Sequence, residues 1–381
     1  MTRSTPRRYA ALDLLLEKGL LPDPVLRIGT RFGTAKRLRR EERDGVEAQD
    51  RRLAELVQRM STGNVAELPE KANEQHYELP AAFLGLFLGS RRKYSGCLWS
   101  DGVTTLDEAE EAMLDLTVTR AGIEDGMDVL DLGCGWGSVS LYVAQRFPHC
   151  TVTSVSNSRP QREYIEARAR ELGVADRVHV QTTDVNVLEL PQNAFDRVVS
   201  VEMFEHLRNW KELLRRISGW LRPDGRLFVH VFSHRRLAYR FTDSWASERF
   251  FTEGTMPSHD LLERFQDDLA LTERWAVSGT HYARTLQEWL QRLDSNRDAA
   301  LALLEPERGR RGARRLFGTW RLFLLSTDEV WGHQHGNEWI VSHYLLAPRA
   351  AQSGWSAEDD AARAADAVET ADESASAPSG D

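Results

Sequence analysis

A chain of 381 residues, 41% hydrophobic and 28% charged, can bury one large core or two ordinary ones, which excludes a wholly disordered polymer. The net charge of −9 is uneven: residues 350–381 hold eight carboxylates against one arginine, and residues 1–60 hold fourteen lysines and arginines against nine acids, so the body is near neutral and no nucleic-acid partner is expected. No uncharged apolar run reaches the roughly 18 residues of a membrane span, and three cysteines without CxxC spacing build neither a disulfide framework nor a zinc site, so a cytoplasmic protein without a metal is expected.

From Tyr9 to Met60, Leu14, Leu15, Leu20, Leu21, Leu53, Leu56 and Val57 recur at helical spacings, which predicts a helical N-terminal region over 1–70. Acids interrupt its basic run KRLRREER (36–43), which therefore reads as a solvated helix face. Residues 61–105, with Pro69, Pro80 and several glycines, read as a connector or lid. The rhythm then changes. DVLDL (128–132), TVTSV (151–155), VHVQT (178–182), FDRVVSVEM (195–203) and RLFVHVF (226–232) read as strands separated by helical stretches, with a PDG turn at 223–225. LALTERWAVSG (269–279) and WIVSHYLLA (339–347) follow as further strands. This alternation predicts right-handed crossovers and an α/β, doubly wound, mostly parallel sheet in a domain over 71–348. Insertions at 233–265 and 281–335 follow sheet strands, where such folds build substrate pockets. The acidic tail, 349–381, is expected to be disordered.

VLDLGCGWGS (129–138) places Gly133, Gly135 and Gly137 between a strand and a helix, where the backbone can approach a ligand and the helix start offers free N–H donors. A dinucleotide would also want an acid after the second strand for its ribose, and this chain has Ser154-Val-Ser156-Asn157-Ser158 there. GxGxG with Asp131 two residues before the first glycine instead points to S-adenosylmethionine (SAM), with Asp131 either orienting the loop or receiving the ammonium through water. Asp184, in TTDV after the third strand, is positioned either to accept from the adenine amino group, beside a donating Val185 amide, or to act as a turn residue.

The blocks ANEQHYELP (72–80), KYSGCLW (93–99), TTLDEAEEAML (104–114), LDLGCGWGS, VTSVSNSRPQ (152–161), VEMFEH (201–206), FVHVFSH (228–234), FFTEGTMPSHDLL (250–262), FQDD (265–268) and HYARTLQEWLQR (281–292) together resemble the cyclopropane-fatty-acid-synthase-like methyltransferases, within which they look most like the coclaurine and related tetrahydroisoquinoline N-methyltransferases. The resemblance implies a Rossmann-like class I methyltransferase fold. It also implies SAM contacts from Ser95, Gly133, Asn157, Gln161, Asp184, Val185 and Ser200.

VEMFEH stands at the end of the fourth strand, and an amine acceptor must lose a proton before its lone pair is available. Glu205 and His206 read as the pair that takes it, with Glu202 nearby, and the resemblance implies the same roles. The alternative is methyl or methylene transfer to an unsaturated acyl lipid; a catalytically silent SAM-binding protein is a remoter one. In the lipid enzymes a bicarbonate sits among a cysteine, a glutamate, a histidine and a tyrosine, and the resemblance puts Glu205, His230 and Tyr282 at the last three positions. The cysteine does not match: Gly96 follows KYS, with Cys97 one residue late, and Thr327 stands where a second family cysteine falls. A small cyclic or aromatic amine is therefore the expected substrate, and a homodimer is left open. Tyr239, Phe241, Trp245, Phe250, Phe251, Trp331 and Trp339 are candidates for the pocket wall, at most three of them being assigned to it.

Overall fold

The parallel strands form at short runs rich in Val and Leu, most of them buried on both faces. In a computed structural model, which describes residues 9–67, 80–242 and 244–349, these are β1 (Asp128–Leu132), β2 (Thr151–Ser156), β3 (Val178–Thr182), β4 (Phe195–Val201) and β5 (Leu221–His234). A short ladder, β6 (Tyr239–Arg240) with β7 (Thr255–Met256), lies in the first insertion, and β8 (Leu269–Val277) and β9 (Trp339–Pro348) complete the main sheet. All of ANEQHYELP but Pro80, and the acidic tail from Ala350, lie outside the described residues.

The main sheet runs β3-β2-β1-β4-β5-β9-β8, parallel through β5 and antiparallel in the last two pairings. The chain winds outward from β1 to β3 and then returns to β4 on the other side of β1, so the order reverses between β1 and β4. Ligand crevices open at such a switch point, beyond the carboxyl ends of the strands. The PDG segment does not end a strand. Leu221 pairs with Phe195 and Arg226 with Arg197, so Pro223-Asp224-Gly225 is taken up as an irregularity within β5.

Helices Ala10–Lys18 and Asp23–Glu41 pack against the long helical segment Arg297–Trp331, and a third, Gly45–Arg59, follows them. Gly309, at φ 66°, kinks the long segment, which then continues to Trp331. Arg27 donates to Asp328 (2.7 Å) and Glu329 (2.6 Å), while Arg321 bridges Asp23 (2.6 Å) and Asp294 (2.8 Å). A core of Phe83, Phe87, Trp289, Trp320 and Phe323 fills the space between these helices and the sheet.

Candidate active site

Gly133, Gly135 and Gly137 all hold left-handed backbone, at φ 81°, 51° and 77°. A Cβ on Gly133 would sit 2.4 Å from Met203 Sδ, so only glycine fits. The N–H groups of Gly133 and Cys134 both donate to Val155 O (3.0 Å), folding the loop over β2. Asp131 accepts from the Ser140 N–H (3.2 Å) and hydroxyl (2.6 Å), tying β1 to the helix Ser138–Arg146. Burial pushes its carboxyl up to about 6, against the pull of Ser140. Of the two readings of Asp131, the loop-orienting one matches these bonds.

The cleft beside the loop is lined by Ser95, Asp131, Gly133, Gly135, Asn157, Gln161 and Val185, with Tyr94, Trp136 and Met203. Its donor set fits SAM. Gln161 accepts from Ser156 (2.6 Å), leaving its buried Nε2 without a partner among the described residues, as is the Trp136 indole N–H, and both residues line the cleft. Two expected contacts stand elsewhere. Ser200 is fully buried and donates to Leu132 O (2.9 Å) beneath the cleft floor. Asp184 accepts from the Asn186 N–H (2.8 Å), the turn reading of this residue, while its neighbours Thr183 and Val185 face the cleft.

A second cavity, of about 880 Å³, lies between the sheet end and the helical insertions. Tyr239, Phe241, Trp245, Phe251, Trp331 and Trp339 line it, six of the seven candidate aromatics and twice the number expected, because the insertions fold across one another. Phe250 instead stacks on Phe323 with ring centroids 4.0 Å apart. Helix Asp23–Glu41 roofs the cavity, and Lys36, Arg37 and Arg40 face it. The basic run is thus part of a wall and not simply a solvated face.

The cleft and the cavity meet at Tyr94, Glu202 and His206, which line both. Glu202 leaves β4 in left-handed backbone (φ 48°), a conformation that a non-glycine residue keeps only where its surroundings hold it. Its N–H donates to His230 O (2.8 Å). Its carboxylate accepts from the Gly96 N–H (3.0 Å) and the Tyr282 hydroxyl (2.7 Å), and His230 Nε2 lies 3.4 Å from Oε1. Burial raises the Glu202 pKa, while Lys93, Tyr282 and Gly96 act to lower it. The His206 ring stacks on Phe251, centroids 6.1 Å apart and planes 13° apart.

Glu205 differs. On the short 3-10 turn Phe204–His206 it is fully buried and lines neither cavity, and neither oxygen closes a hydrogen bond among the described residues. Burial, reinforced by the nearby Glu202 charge, drives its pKa well up, opposed only by its own and the Phe232 N–H. Two carboxyls in one buried site do not both ionise. Glu202, with its donors, carries the charge, and Glu205 holds the proton. The expectation that Glu205 itself takes a proton from the substrate does not match this placement.

His230 stands behind Glu202 rather than in the cavity wall, whereas Tyr282, Phe241 and Trp331 are in it, Tyr282 and Trp331 stacked 4.6 Å apart. The sequence reading did not single out Lys93, Tyr94 or His343. Lys93 is buried and donates to Ser95 Oγ (2.5 Å) and Gly96 O (2.6 Å), shaping the backbone that reaches Glu202. A lysine inside the otherwise apolar KYSGCLW block, and a histidine inside the apolar run of β9, are the signals that mark two of them. No group of His, Cys, Asp and Glu able to hold a metal occurs among the described residues.

Mycolic acid cyclopropane synthetase, as a family, matches residues 66–331. The (S)-coclaurine N-methyltransferase of Thalictrum flavum subsp. glaucum is 39% identical over 351 residues, 90% of this chain and 97% of that one. A crystal structure of a coclaurine N-methyltransferase bound to N-methylheliamine and SAH superposes with a TM-score of 0.85 at 38% identity, covering 88% of this chain and 99% of the other. The cyclopropane-fatty-acyl-phospholipid synthase of Escherichia coli K12 is more distant, 28% identical over 58% of this chain and 55% of its own length. With the glycine loop, the orphaned donors of the cleft and the Glu202–His206 junction, these likenesses show that the chain belongs to the mycolic acid cyclopropane synthetase family of SAM-dependent methyltransferases.

Proposed function

We propose that this methyltransferase acts on the nitrogen of a small cyclic or aromatic amine. The observation that carries the reading is a half-buried carboxylate, Glu202, at the junction of a cofactor cleft and an aromatic-lined cavity. A protonated amine is attracted to that charge, and aromatic walls favour a cation with an apolar frame. When bound in the cleft, SAM supplies an electrophilic methyl group. The chain's own residues do the rest. Glu202 holds the amine at the junction, His206 beside it accepts the proton that frees the lone pair, and Tyr282 with Trp331 bounds the nitrogen's side of the cavity.

Transfer to a lipid alkene is disfavoured by the same contacts. His230 and Tyr282, two of the residues that resemblance gives to a bicarbonate, here face the Glu202 carboxylate, so a protein anion takes that place. Gly96, packed 3.2 Å from the Tyr282 ring at its missing Cβ, leaves no thiol there, and Cys97 is buried with its thiol pushed up to about 12. Incubation with methyl-labelled SAM, a panel of cyclic and aromatic amines and unsaturated phospholipid vesicles is expected to label amines alone. Label in the lipid fraction would overturn the proposal.

A further inference from the structure

Four side chains form a row from a helix across strands β9 and β5 to Glu202. Arg120, on the helix Leu106–Ala121, lies with its guanidinium over the Trp275 ring, 4.7 Å from the centroid, and its Nη1 is 2.8 Å from His343 Nδ1. His343 Nε2 is 3.0 Å from His230 Nδ1, the two histidines being directly opposed across β9 and β5, and both are fully buried. His230 Nε2 then faces Glu202 Oε1 at 3.4 Å.

Only one arrangement of protons satisfies this row. A guanidinium donates and cannot accept, so His343 Nδ1 is the acceptor and a neutral His343 carries its proton on Nε2. That N–H donates to His230 Nδ1, which leaves the His230 proton on Nε2, aimed at Glu202. Its hydrogen bond is not closed among the described residues, so a donor stands ready beside the carboxylate.

We propose that Arg120 and His343 are positioning residues that fix His230 as an obligatory donor to Glu202. His230 meets Glu202 at two points: its carbonyl accepts from the Glu202 N–H (2.8 Å), and its ring Nε2 stands 3.4 Å from Oε1, poised to donate. Fixed in that role, His230 cannot take the proton of the amine, and the two histidines near Glu202 divide the work: His230 steadies the carboxylate and His206 receives the proton. The neutral state of both buried rings agrees, since burial lowers each pKa well below the ordinary histidine value, with the Lys93 and Arg120 charges adding to the effect. This inference rests on the amine reading for its catalytic meaning, but not for its proton positions.

The test is nitrogen-15 NMR of the full-length protein labelled in its histidine rings, together with steady-state kinetics of Arg120→Met. In the wild type, both His343 and His230 are expected as the neutral form protonated at Nε2. Arg120→Met is expected to release His343 from that form and to lower kcat about tenfold, the usual scale for losing a residue that orients a catalytic one, with KM for the amine and SAM affinity little changed. A proton on Nδ1 of either ring, an imidazolium in the wild type, or an Arg120→Met enzyme with unaltered ring signals and kcat would overturn the proposal. Wild-type rings as expected in an enzyme that methylates no amine would sink the functional reading while leaving the row's proton positions standing.

Discussion

Glu202 and Glu205 are three residues apart and chemically identical, and the sequence points to Glu205 as the base, yet the fold gives them opposite protonation states. The left-handed turn at Glu202 aims one carboxylate at the junction of the two cavities, where Gly96 and Tyr282 donate to it. The 3-10 turn aims the other into the interior without a closed hydrogen bond among the described residues. Below the ordinary glutamate value near 4.5, Glu205 is protonated in both folded and unfolded chains and costs nothing. Above it the unfolded chain gains by ionising and the buried carboxyl does not, so stability falls with rising pH until the folded group also ionises. Glu205→Gln keeps the neutral shape at every pH and is expected to flatten that fall, raising the melting temperature relative to wild type toward the alkaline end. Superimposable profiles of melting temperature against pH would show that Glu205 is ionised in the fold. The same local geometry explains what sequence could and could not say about single side chains. The motifs singled out the loop, Asn157, Gln161 and the Glu-His cluster because these depend on order along the chain, and the fold brings Asn157, Gln161, Glu202 and His206 to the cleft. Ser200 and Asp184 lie one residue from cleft-lining neighbours, Val201 and Val185, and which of two adjacent side chains faces a ligand is decided by strand pleat and turn geometry.

At the scale of elements, the glycine loop works by being too crowded for any side chain. Gly133→Ala places a methyl group against Met203 Sδ and forces a non-glycine residue to φ 81°, so it is expected to weaken SAM binding by at least about tenfold, each such strain being worth 1–3 kcal/mol. Calorimetry measures this directly, and wild-type affinity would mean that the loop has room the structure does not show. Strands were legible because buried parallel strands are short unbroken apolar runs, and the missing ribose acid after β2 correctly turned the cofactor from a dinucleotide to SAM. The long helical segment keeps Pro306 and the kink at Gly309 inside it, because packing against helices Ala10–Lys18 and Asp23–Glu41 carries it through to Trp331. The pairing of His230 with His343 was not legible at all. It depends on the register between strands 113 positions apart.

For the molecule as a whole, the N-terminal helices are a cover that ion pairs tie down beside an apolar seam of Leu12, Leu16, Leu21, Leu26 and Leu38. Asp23–Glu41 exposes Ile28 at 64% and Phe32 at 69% on its outer side while Leu26 and Thr34 are buried beneath it. Its anchors, Arg27 to Asp328 and Glu329 and Arg321 to Asp23 and Asp294, are only partly buried on the arginine side. Replacing both Arg27 and Arg321 with alanine is expected to loosen the roof of the aromatic cavity. KM for the amine should rise about fivefold, as for the loss of roughly 1 kcal/mol of positioning, with SAM affinity unchanged because the cofactor cleft does not touch this cover. A parallel loss of SAM affinity would mean that the cover and the cleft move as one.

That Tyr94, Glu202 and His206 are the shared wall among the described residues also bears on turnover kinetics. Two chambers that touch at so small a window can fill and empty separately, so neither spent cofactor nor methylated product needs to wait for the other to depart. Product inhibition should carry that signature: SAH competes with SAM alone, the methylated amine competes with its parent alone, and neither order of addition is obligatory.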